Sequence, residues 1–256
     1  MRVVIGSTDI KKAVLFTDIV RHIRSVSLDV IFRFDEEGLY IQAMDQSHIS
    51  LLELRLAAGW FDEYTLTAGV PEAVGINTKM LFKVMSCRTK DQPITWTTNE
   101  DNVDIQFPKS ATSVQKDFSI PTIDIETELL TIHEVSTQAD FTMESKLFES
   151  LMVDLSTYGD EIAFECTEEG IKILAKGDTG QMNTTIPMDD LMEYSIDEGE
   201  ELKIRYASSL LQLASQFSKL AATVSIGVST TQPLRMKAEL AEGSYIQYFI
   251  APKAEE

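Results

Sequence analysis

Apolar and polar residues alternate through residues 39–56, on both sides of a polar break at residues 44–48. A period of two is typical of half-buried β-strands, so this stretch predicts two strands joined by a polar loop. The same alternation, bounded by turn residues, recurs along the chain. Further strands are expected at residues 2–7, 28–34, 65–76, 94–98, 103–107, 139–143, 171–175, 202–206, 222–228, 234–240 and 245–250.

In four other segments the apolar residues recur at steps of three and four, which is the spacing of one helix face. The predicted helices span residues 9–24, 77–87, 144–158 and 207–220. Thr8 or Asp9 can cap the first of them. The side chains expected to face the core are Ala13, Phe16, Val20, Ile23, Met80, Leu81, Val84, Met85, Leu147, Phe148, Leu151 and Leu155.

The order helix, strands, helix, strands occurs twice along the chain. Glu-Glu-Gly-Leu-Tyr-Ile at 36–41 and Glu-Glu-Gly-Ile-Lys-Ile at 168–173 lie 132 residues apart. Solenoid repeats are much shorter, so this period indicates two copies of one domain. The predicted fold class is α+β, with helices on one face of antiparallel sheets in two tandem domains, residues 1–116 and 136–256. Residues 117–135 form an acidic connector whose Ile and Leu side chains are expected to press into both domains.

Size and composition favour a soluble intracellular protein. Of the 256 residues, 44% are hydrophobic, which is enough for full cores without a metal or disulfide. Cys87 and Cys166 lack the spacing of a zinc or redox site and are expected to be buried free thiols. We expect no signal peptide and, because no apolar run approaches about 20 residues, no membrane span.

Charge is unevenly distributed. The net charge is −19, and so acidic a chain should, as a whole, avoid nucleic acid. The four predicted helices nevertheless sum to +3, which leaves −22 for the remainder. This segregation indicates a positively lined surface on an acidic body, although chance placement of solvated charge also explains the counts.

The last predicted helix has an outer stripe of small polar residues with one cation. The stripe consists of Ser209, Gln212, Gln216 and Lys219. Such a face can approach phosphates without reading bases. Any DNA contact is therefore expected to be with duplex backbone and independent of sequence.

A catalytic role for His48 is the first alternative. Its candidate partners, Asp45, Ser47 and Ser50, all lie within the same six residues, whereas a triad needs groups that converge from separate segments. Neighbouring side chains on an extended backbone diverge. The sequence contains no glycine-rich phosphate loop, metal-ligand cluster or nucleophile elbow. We therefore expect a protein that is not an enzyme and that uses no metal or cofactor.

Several phrases resemble the sliding clamps of the proliferating cell nuclear antigen type. Met-Asp-Gln-Ser-His-Ile at 44–49 resembles the signature loop of that family. Gly-Trp-Phe-Asp-Glu-Tyr at 59–64, Pro-Thr-Ile-Asp-Ile-Glu at 121–126 and Tyr-Phe-Ile-Ala-Pro-Lys at 248–253 are similar to its later phrases. The resemblance spans the chain in order.

The resemblance implies a homotrimer that closes into a six-domain ring, with the helices lining a pore for duplex DNA. Such clamps act as processivity factors that tether DNA polymerase, and they recruit replication and repair proteins through a short peptide motif. An ATP-driven clamp loader places them on DNA. The expected location is the nucleus, or the site of viral DNA replication for a viral member.

The resemblance also assigns three sets of residues. The partner-peptide pocket would consist of Met44, Ser47, His48, Ile49, Leu130, Ile132, Pro233, Phe249, Ala251 and Pro252. The DNA-facing side chains would be Lys11, Lys12, Lys79, Lys83, Lys146 and Lys219. The subunit interface would pair residues 113–119 with residues 179–186 of a neighbour, through Ser113, Val114, Gln115, Lys116, Thr179, Gln181, Asn183 and Thr185.

The sequence departs from the family pattern on two helices. Asp18 falls at a commonly basic position, and Ser150, Val153 and Thr157 stand on the third helix where basic residues are frequent. A diverged viral or lower-eukaryotic member would explain these departures. They also keep open a second hypothesis, a clamp-fold binding scaffold or monomeric processivity factor that does not encircle DNA.

Overall fold

The computed structural model describes residues 1–69, 71–99, 101–126, 129–132, 136–178 and 180–253, without the side chains of residues 217 and 218. The chain forms two compact units. The first comprises Met1–Gln46, Leu52–Leu129 and Leu240–Tyr245, and the second comprises Ser47–Leu51, Leu130–Glu239 and Ile246–Glu256. The predicted domain limits at residues 116 and 136 stay predictions, since part of the connector lies outside the described residues.

The described residues of the first half form nine strands and two α-helices. They are β1 (Arg2–Ile5), α1 (Ile10–Val26), β2 (Asp29–Asp35), β3 (Gly38–Met44), β4 (Ser50–Ala57), β5 (Glu63–Thr65), β6 (Ala73–Asn77), α2 (Thr78–Met85), β7 (Ile94–Thr98), β8 (Asn102–Phe107) and β9 (Lys116–Pro121). One sheet has the order β5-β1-β7-β8-β9, and β4-β3-β2-β6 are neighbours in another. The strand pairs with a described register are antiparallel.

The second half repeats this order of elements. They are β10 (Ala139–Glu144), α3 (Ser145–Ser156), β11 (Glu161–Thr167), β12 (Gly170–Gly177), β13 (Gly180–Pro187), β14 (Glu193–Ile196), β15 (Leu202–Ala207), α4 (Ser208–Ala214), β16 (Thr223–Val228), β17 (Leu234–Glu239) and β18 (Tyr245–Ile250). The strand orders are β14-β10-β16-β17-β18 and β13-β12-β11-β15. The predicted α+β class is confirmed.

Two glycines at equivalent turns show why the repeated phrase recurs. Gly38 has a φ of +136° and Gly170 a φ of +144°, a backbone conformation that side chains disfavour. A Cβ on Gly38 would lie 2.0 Å from the carbonyl oxygen of Leu56, and one on Gly170 would lie 2.4 Å from that of Ile186. Both turns therefore need glycine for the close approach of the following strand.

The same turns are held by equivalent tyrosines. Tyr64 donates a hydrogen bond to the carbonyl oxygen of Asp35 at 2.7 Å, and Tyr194 donates one to that of Thr167 at 2.6 Å. Burial raises the pKa of both phenols, that of Tyr194 to about 12, so both remain donors at neutral pH. These matching contacts support the duplication that the sequence predicts.

The core of each unit lies between its helices and its strands. In the first unit, Trp96 of β7 stacks on Phe32 at 5.4 Å between ring centroids and meets Phe16 of α1 edge-on at 6.3 Å. In the second unit, Phe164 of β11 contacts Tyr206 of β15 at 6.0 Å. All five side chains are buried. These rings join helix α1 to the sheet in the first unit and two neighbouring strands in the second.

Two side chains predicted to face the core are exposed instead. Met80 on α2 and Leu147 on α3 have exposed fractions of 47% and 48%. On α3, Met152 is buried together with Phe148 and Leu155. The buried face is therefore narrower than the predicted one and does not include Leu147. The prediction was wrong because each of these residues lies one position before a buried residue, Leu81 or Phe148, and so about 100° around the helix from it.

The fourth helix is shorter than predicted. Its α-helical part ends at Ala214, and a 3-10 turn follows at Ser215–Lys219. The buried Ser215 hydroxyl donates a hydrogen bond to the carbonyl oxygen of Gln212 at 2.9 Å, which competes with helical pairing. Gln216 has a non-helical ψ of 18°. The predicted polar stripe therefore does not lie on one continuous helix.

The two cysteines differ. Cys166 is buried as predicted, and burial raises the pKa of its thiol to about 12. Cys87 is exposed, so its prediction was wrong, because it lies just beyond the last turn of α2. Its thiol donates to the carbonyl oxygen of Lys83 at 3.5 Å. In the described part of the chain, no helix has the length and apolar character of a membrane span.

Candidate functional site

Helices α1 and α2 of the first unit pack against each other and carry free cations. Asp9 caps α1 by accepting from the backbone N–H of Lys11, and Asn77 caps α2. The side chains of Lys11, Lys79 and Lys83 are exposed and make no ion pair with any described residue. Their charges are therefore available to an anionic ligand.

Lys12 is placed differently from its neighbour. Its Nζ donates a hydrogen bond to the carbonyl oxygen of Trp60 at 2.8 Å and lies 5.9 Å from the centroid of the Trp60 ring. The side chain is half-buried. The charge of Lys12 is thus engaged inside the first unit, although the sequence assigned it to the same DNA-facing set as Lys11.

Two arginines on the last turns of α1 contribute to the positive charge of the predicted helices, but they were not assigned from the sequence to the DNA-facing set. The guanidinium carbon of Arg24 lies 4.2 Å from the ring centroid of Phe82 on α2, and that of Arg21 lies 5.6 Å from it. Arg21 also forms an ion pair with Asp18. Their spacing of three residues places both on one helix face, which is the signal that could have identified them.

The helices of the second unit carry fewer cations. Helix α3 contacts α4 and the following 3-10 turn. Lys146 and Lys219 are exposed and make no ion pair with a described residue. Asp154 is exposed on the same helix as Lys146, and Val153 is 42% exposed. This helix pair is therefore less positive than α1 and α2.

Most cations on the described strands are paired with acids; Lys176 on β12 makes no ion pair with a described residue. Glu165 of β11 lies 2.6 Å from the Nζ of Lys203 and 3.3 Å from that of Lys172, and the hydrogen bond from Lys203 lowers the pKa of its carboxyl group. Further strand cations within 4 Å of a carboxylate are Arg2, Arg55, Arg205, Arg235 and Lys237. A phosphate on these strands would have to compete with existing ion pairs.

The loop between β3 and β4 carries the first part of the predicted peptide pocket. Ser47, His48 and Ile49 are exposed, and His48 adopts a left-handed backbone with a φ of +57°. The backbone N–H of Ala251 donates to the carbonyl oxygen of Ile49 at 3.0 Å. This hydrogen bond joins the loop to the C-terminal segment within the second unit.

The C-terminal segment is held on its other side as well. The backbone N–H of Lys253 donates to the carbonyl oxygen of Arg205 at 2.8 Å, and its Nζ lies 2.5 Å from a carboxylate oxygen of Glu161. The segment that carries Ala251 and Pro252 is therefore fixed between the loop and β15.

The other residues of the predicted pocket differ in exposure. Leu130 is 47% exposed, Ile132 and Pro233 are half-buried, and Phe249 is 8% exposed, all in the second unit. Met44 is half-buried at the end of β3, in the first unit.

The residues assigned to the subunit interface lie on or beside two edge strands. In the described part of the chain, β9 ends its five-stranded sheet and β13 ends its four-stranded sheet. The exposed positions on β13 include Gln181, Asn183 and Thr185. Val114 is 70% exposed between Ser113 and Gln115, just before β9 begins at Lys116. Thr179 lies outside the described residues.

A buried glutamine positions the segment that leads into β9, and sequence reasoning missed it. Gln92 is fully buried, and its Nε2 donates to the carbonyl oxygens of Pro108 at 2.9 Å and Val114 at 2.8 Å. Beside it, Asp91 accepts hydrogen bonds from the hydroxyl and backbone N–H of Thr112. A polar residue in the connection between α2 and β7 gives no sequence signal for such contacts.

The chain matches two family models in tandem. Residues 7–129 match the model described as proliferating cell nuclear antigen, N-terminal domain, and residues 131–253 match the model described as proliferating cell nuclear antigen, C-terminal domain. Together the matches cover nearly the entire chain, and they confirm the predicted tandem clamp fold. The chain therefore belongs to the proliferating cell nuclear antigen family, a family of non-enzymatic sliding clamps.

Proposed function

We propose that this protein is a DNA sliding clamp that encircles duplex DNA as a homotrimer. In this role it holds DNA polymerase on its template as a processivity factor and recruits other replication and repair proteins. The observation that carries the proposal is the set of exposed helix lysines that make no ion pair with a described residue, on a chain of net charge −19. The set consists of Lys11, Lys79, Lys83, Lys146 and Lys219.

Electrostatics favour duplex DNA at the helices over DNA at the sheets. DNA phosphates can bind these lysines and release their counterions without breaking an ion pair within the described part of the protein. At the strands, the acids would repel a phosphate and already hold most of the cations. Contacts of this kind position the backbone and read no bases, which suits a protein that must move along DNA.

The edge strands support the homotrimer. An edge strand offers unpaired backbone groups to another chain, and β9 and β13 each have a neighbour on one side in the described part of their sheets. Pairing residues 113–119 of one chain with residues 179–186 of the next would continue one sheet across subunits. Because the two edges differ, such a contact is head-to-tail and can close into a ring.

Partner binding is assigned to the loop at residues 47–49 and the C-terminal segment. An exposed apolar side chain beside a fixed backbone suits the anchor residues of a partner peptide. Ile49, at 44% exposed, is the central contact of this pocket. An ATP-driven clamp loader and a nuclear location, or a site of viral replication, complete the proposed role.

Retention on circular DNA tests the encirclement. The protein is loaded onto nicked circular DNA by a clamp loader, and half of the sample is then linearised. A clamp remains on the circle and slides off the linear ends, so only the linear sample loses protein. Equal dissociation from both forms would refute encirclement.

The alternative is a clamp-fold scaffold or monomeric processivity factor that does not encircle DNA. The charge of α3 favours it, because Lys146 shares the helix with Glu149 and Asp154 and the helix is net negative. Mass in solution separates the two functions. A species of three 28.7 kDa chains supports the ring, and a single chain at micromolar concentration supports the alternative.

The peptide pocket makes a direct prediction. Ile49→Asp should weaken binding of a peptide with glutamine and paired aromatics by about 30-fold or more, because a buried anchor contributes at least ~2 kcal/mol. Isothermal titration calorimetry measures the affinity. Met192→Asp, which places the same charge on a side chain that is 55% exposed elsewhere in the second unit, is the matched control. Equal affinities for the two variants would move the pocket away from Ile49.

A further inference from the structure

The contact between α1 and α2 contains an aromatic ring that faces two arginines. Arg24 and Arg21 lie 4.2 and 5.6 Å from the centroid of Phe82, measured from their guanidinium carbons. Both arginines are exposed and Phe82 is half-buried. Lys83, which is also exposed, follows Phe82 directly, so the ring stands within a cluster of cations on two packed helices.

Neither local helix chemistry nor ion pairing accounts for this arrangement. Arg24 lies in the last turn of α1, where the helix dipole favours a cation, but that preference needs no ring beneath it. Arg24 makes no ion pair with a described residue, whereas Arg21 pairs with Asp18. One of the two guanidinium groups thus has no acid to neutralise it.

We propose that Arg21 and Arg24 form a phosphate-binding pair at the α1–α2 contact, held in place by Phe82 as a positioning residue. A guanidinium stacked on a ring presents its N–H groups at the edge of the plane, in the fork that matches two phosphate oxygens. Stacking also restricts the side chain before the ligand arrives, which lowers the entropy lost on binding. The ligand class is the backbone of duplex DNA.

This inference rests on the proposed function, because it adds contacts to the DNA-facing helices of a clamp. It differs from the lysine set in its chemistry. The lysines act as mobile point charges, whereas the arginine pair is fixed by an aromatic contact between two helices. Phosphate binding by the arginine pair therefore depends on Phe82, whereas phosphate binding by the lysines does not.

The test is equilibrium binding of the full chain to a short fluorescent DNA duplex, measured by anisotropy over a salt series. The double variant Arg21→Ala/Arg24→Ala should reduce the slope of log affinity against log salt by about 1 to 2, because Arg24 makes no ion pair with a described residue whereas Arg21 must exchange Asp18 for a phosphate. Lys176→Ala, which removes an exposed cation on β12, is the matched control and should leave the slope unchanged.

The role of Phe82 is tested at fixed salt. Phe82→Leu keeps an apolar side chain but removes the ring, and it should weaken duplex binding about two- to fivefold. Phe82→Trp restores a ring and should restore the affinity. Thermal unfolding of both variants separates this effect from a loss of folding. If Phe82 were only structural, the affinity of the two variants would follow their thermal stability.

The outcomes are distinguishable. The arginine pair is refuted if the double variant has the same salt slope as Lys176→Ala, or if Phe82→Leu binds the duplex with wild-type affinity. Either result leaves the clamp proposal intact. Wild-type protein that shows no salt-dependent duplex binding overturns both. A reduced slope together with rescue by Phe82→Trp supports the pair.

Discussion

Lys11 and Lys12 are neighbours in the sequence, yet they take different roles. A step of one residue turns the side chain by about 100° around a helix, so two adjacent lysines can meet different surroundings. Lys11 is exposed, and Lys12 reaches the carbonyl oxygen of Trp60 at 2.8 Å. We therefore propose that Lys11 is available for ligand binding and that Lys12 contributes to the stability of the first unit.

Replacing the two lysines separates these roles. Lys12→Ala should lower the free energy of unfolding by about 1 kcal/mol, because a half-buried hydrogen bond and a contact with the Trp60 ring are lost. Lys11→Ala should stay within about 0.5 kcal/mol of wild type, as exposed substitutions do. Thermal and urea unfolding measure both. Equal destabilisation by the two variants would contradict the assignment.

Among the elements, the segment that leads into β9 depends most on distant polar contacts. Gln92 holds its backbone from inside, and Asp91 accepts from Thr112 at 2.8 Å through the hydroxyl and at 3.2 Å through the backbone N–H. Hydrogen bonds to a carboxylate favour its charged form. The segment is therefore tied down before the edge strand begins.

The pKa of Asp91 reports this connection. Hydrogen bonds from Thr112 and then Thr89 lower it to about 2, against about 3.9 for an ordinary aspartate. Because the folded pKa is depressed, the stabilisation is complete above about pH 4 and is lost as the pH falls toward 2. Thr112→Val should raise the pKa toward its ordinary value in an NMR titration.

Thr122→Val is the matched control for that titration. Its hydroxyl bonds the carbonyl oxygen of Asp101 and has no contact with Asp91 among the described residues. This variant should leave the titration of Asp91 unchanged. A midpoint near 2 in Thr112→Val would show that Thr112 does not hold the carboxylate.

The whole molecule combines a duplicated fold with segregated charge. Within the described residues, each half of the chain has nine strands and two α-helices in the same order. The exposed helix lysines make no ion pair with a described residue, while most strand cations meet acids. A ring of such chains would present its helices to DNA and its acidic surface to the outside. Assembly through edge strands is the step on which this arrangement depends.

A charge beside the β9 edge should block assembly. Val114→Asp buries a carboxylate in the proposed subunit contact, where desolvation opposes it. The mass measured by light scattering should fall from three chains to one at micromolar concentration. Leu66→Asp is the matched control, since Leu66 is 38% exposed in the first unit and outside the proposed contact. A trimer of Val114→Asp would place the interface elsewhere.

Much of the fold was predictable because its signals are local. Strands β7 and β18 have the predicted limits, and the buried face of α1 contains the predicted residues. Errors arose where a local pattern was compatible with either a buried or an exposed side chain, or with either a continued or an ended helix. Met80 and Leu147 are apolar but lie beside the buried row, and Ser215 ends the fourth α-helix through a side-chain hydrogen bond.

Local patterns and repeated phrases were sufficient for the four helices, the duplication, the α+β class and the family, because periodicity and turn residues act over a few positions. They did not predict every strand, and β11 and β14 were missed. Contacts over long chain distances decided the rest. Lys12 meets Trp60 from 48 residues away, and Arg24 meets a ring on another helix. Which cations remain free depends on such packing, and no local pattern contains that information.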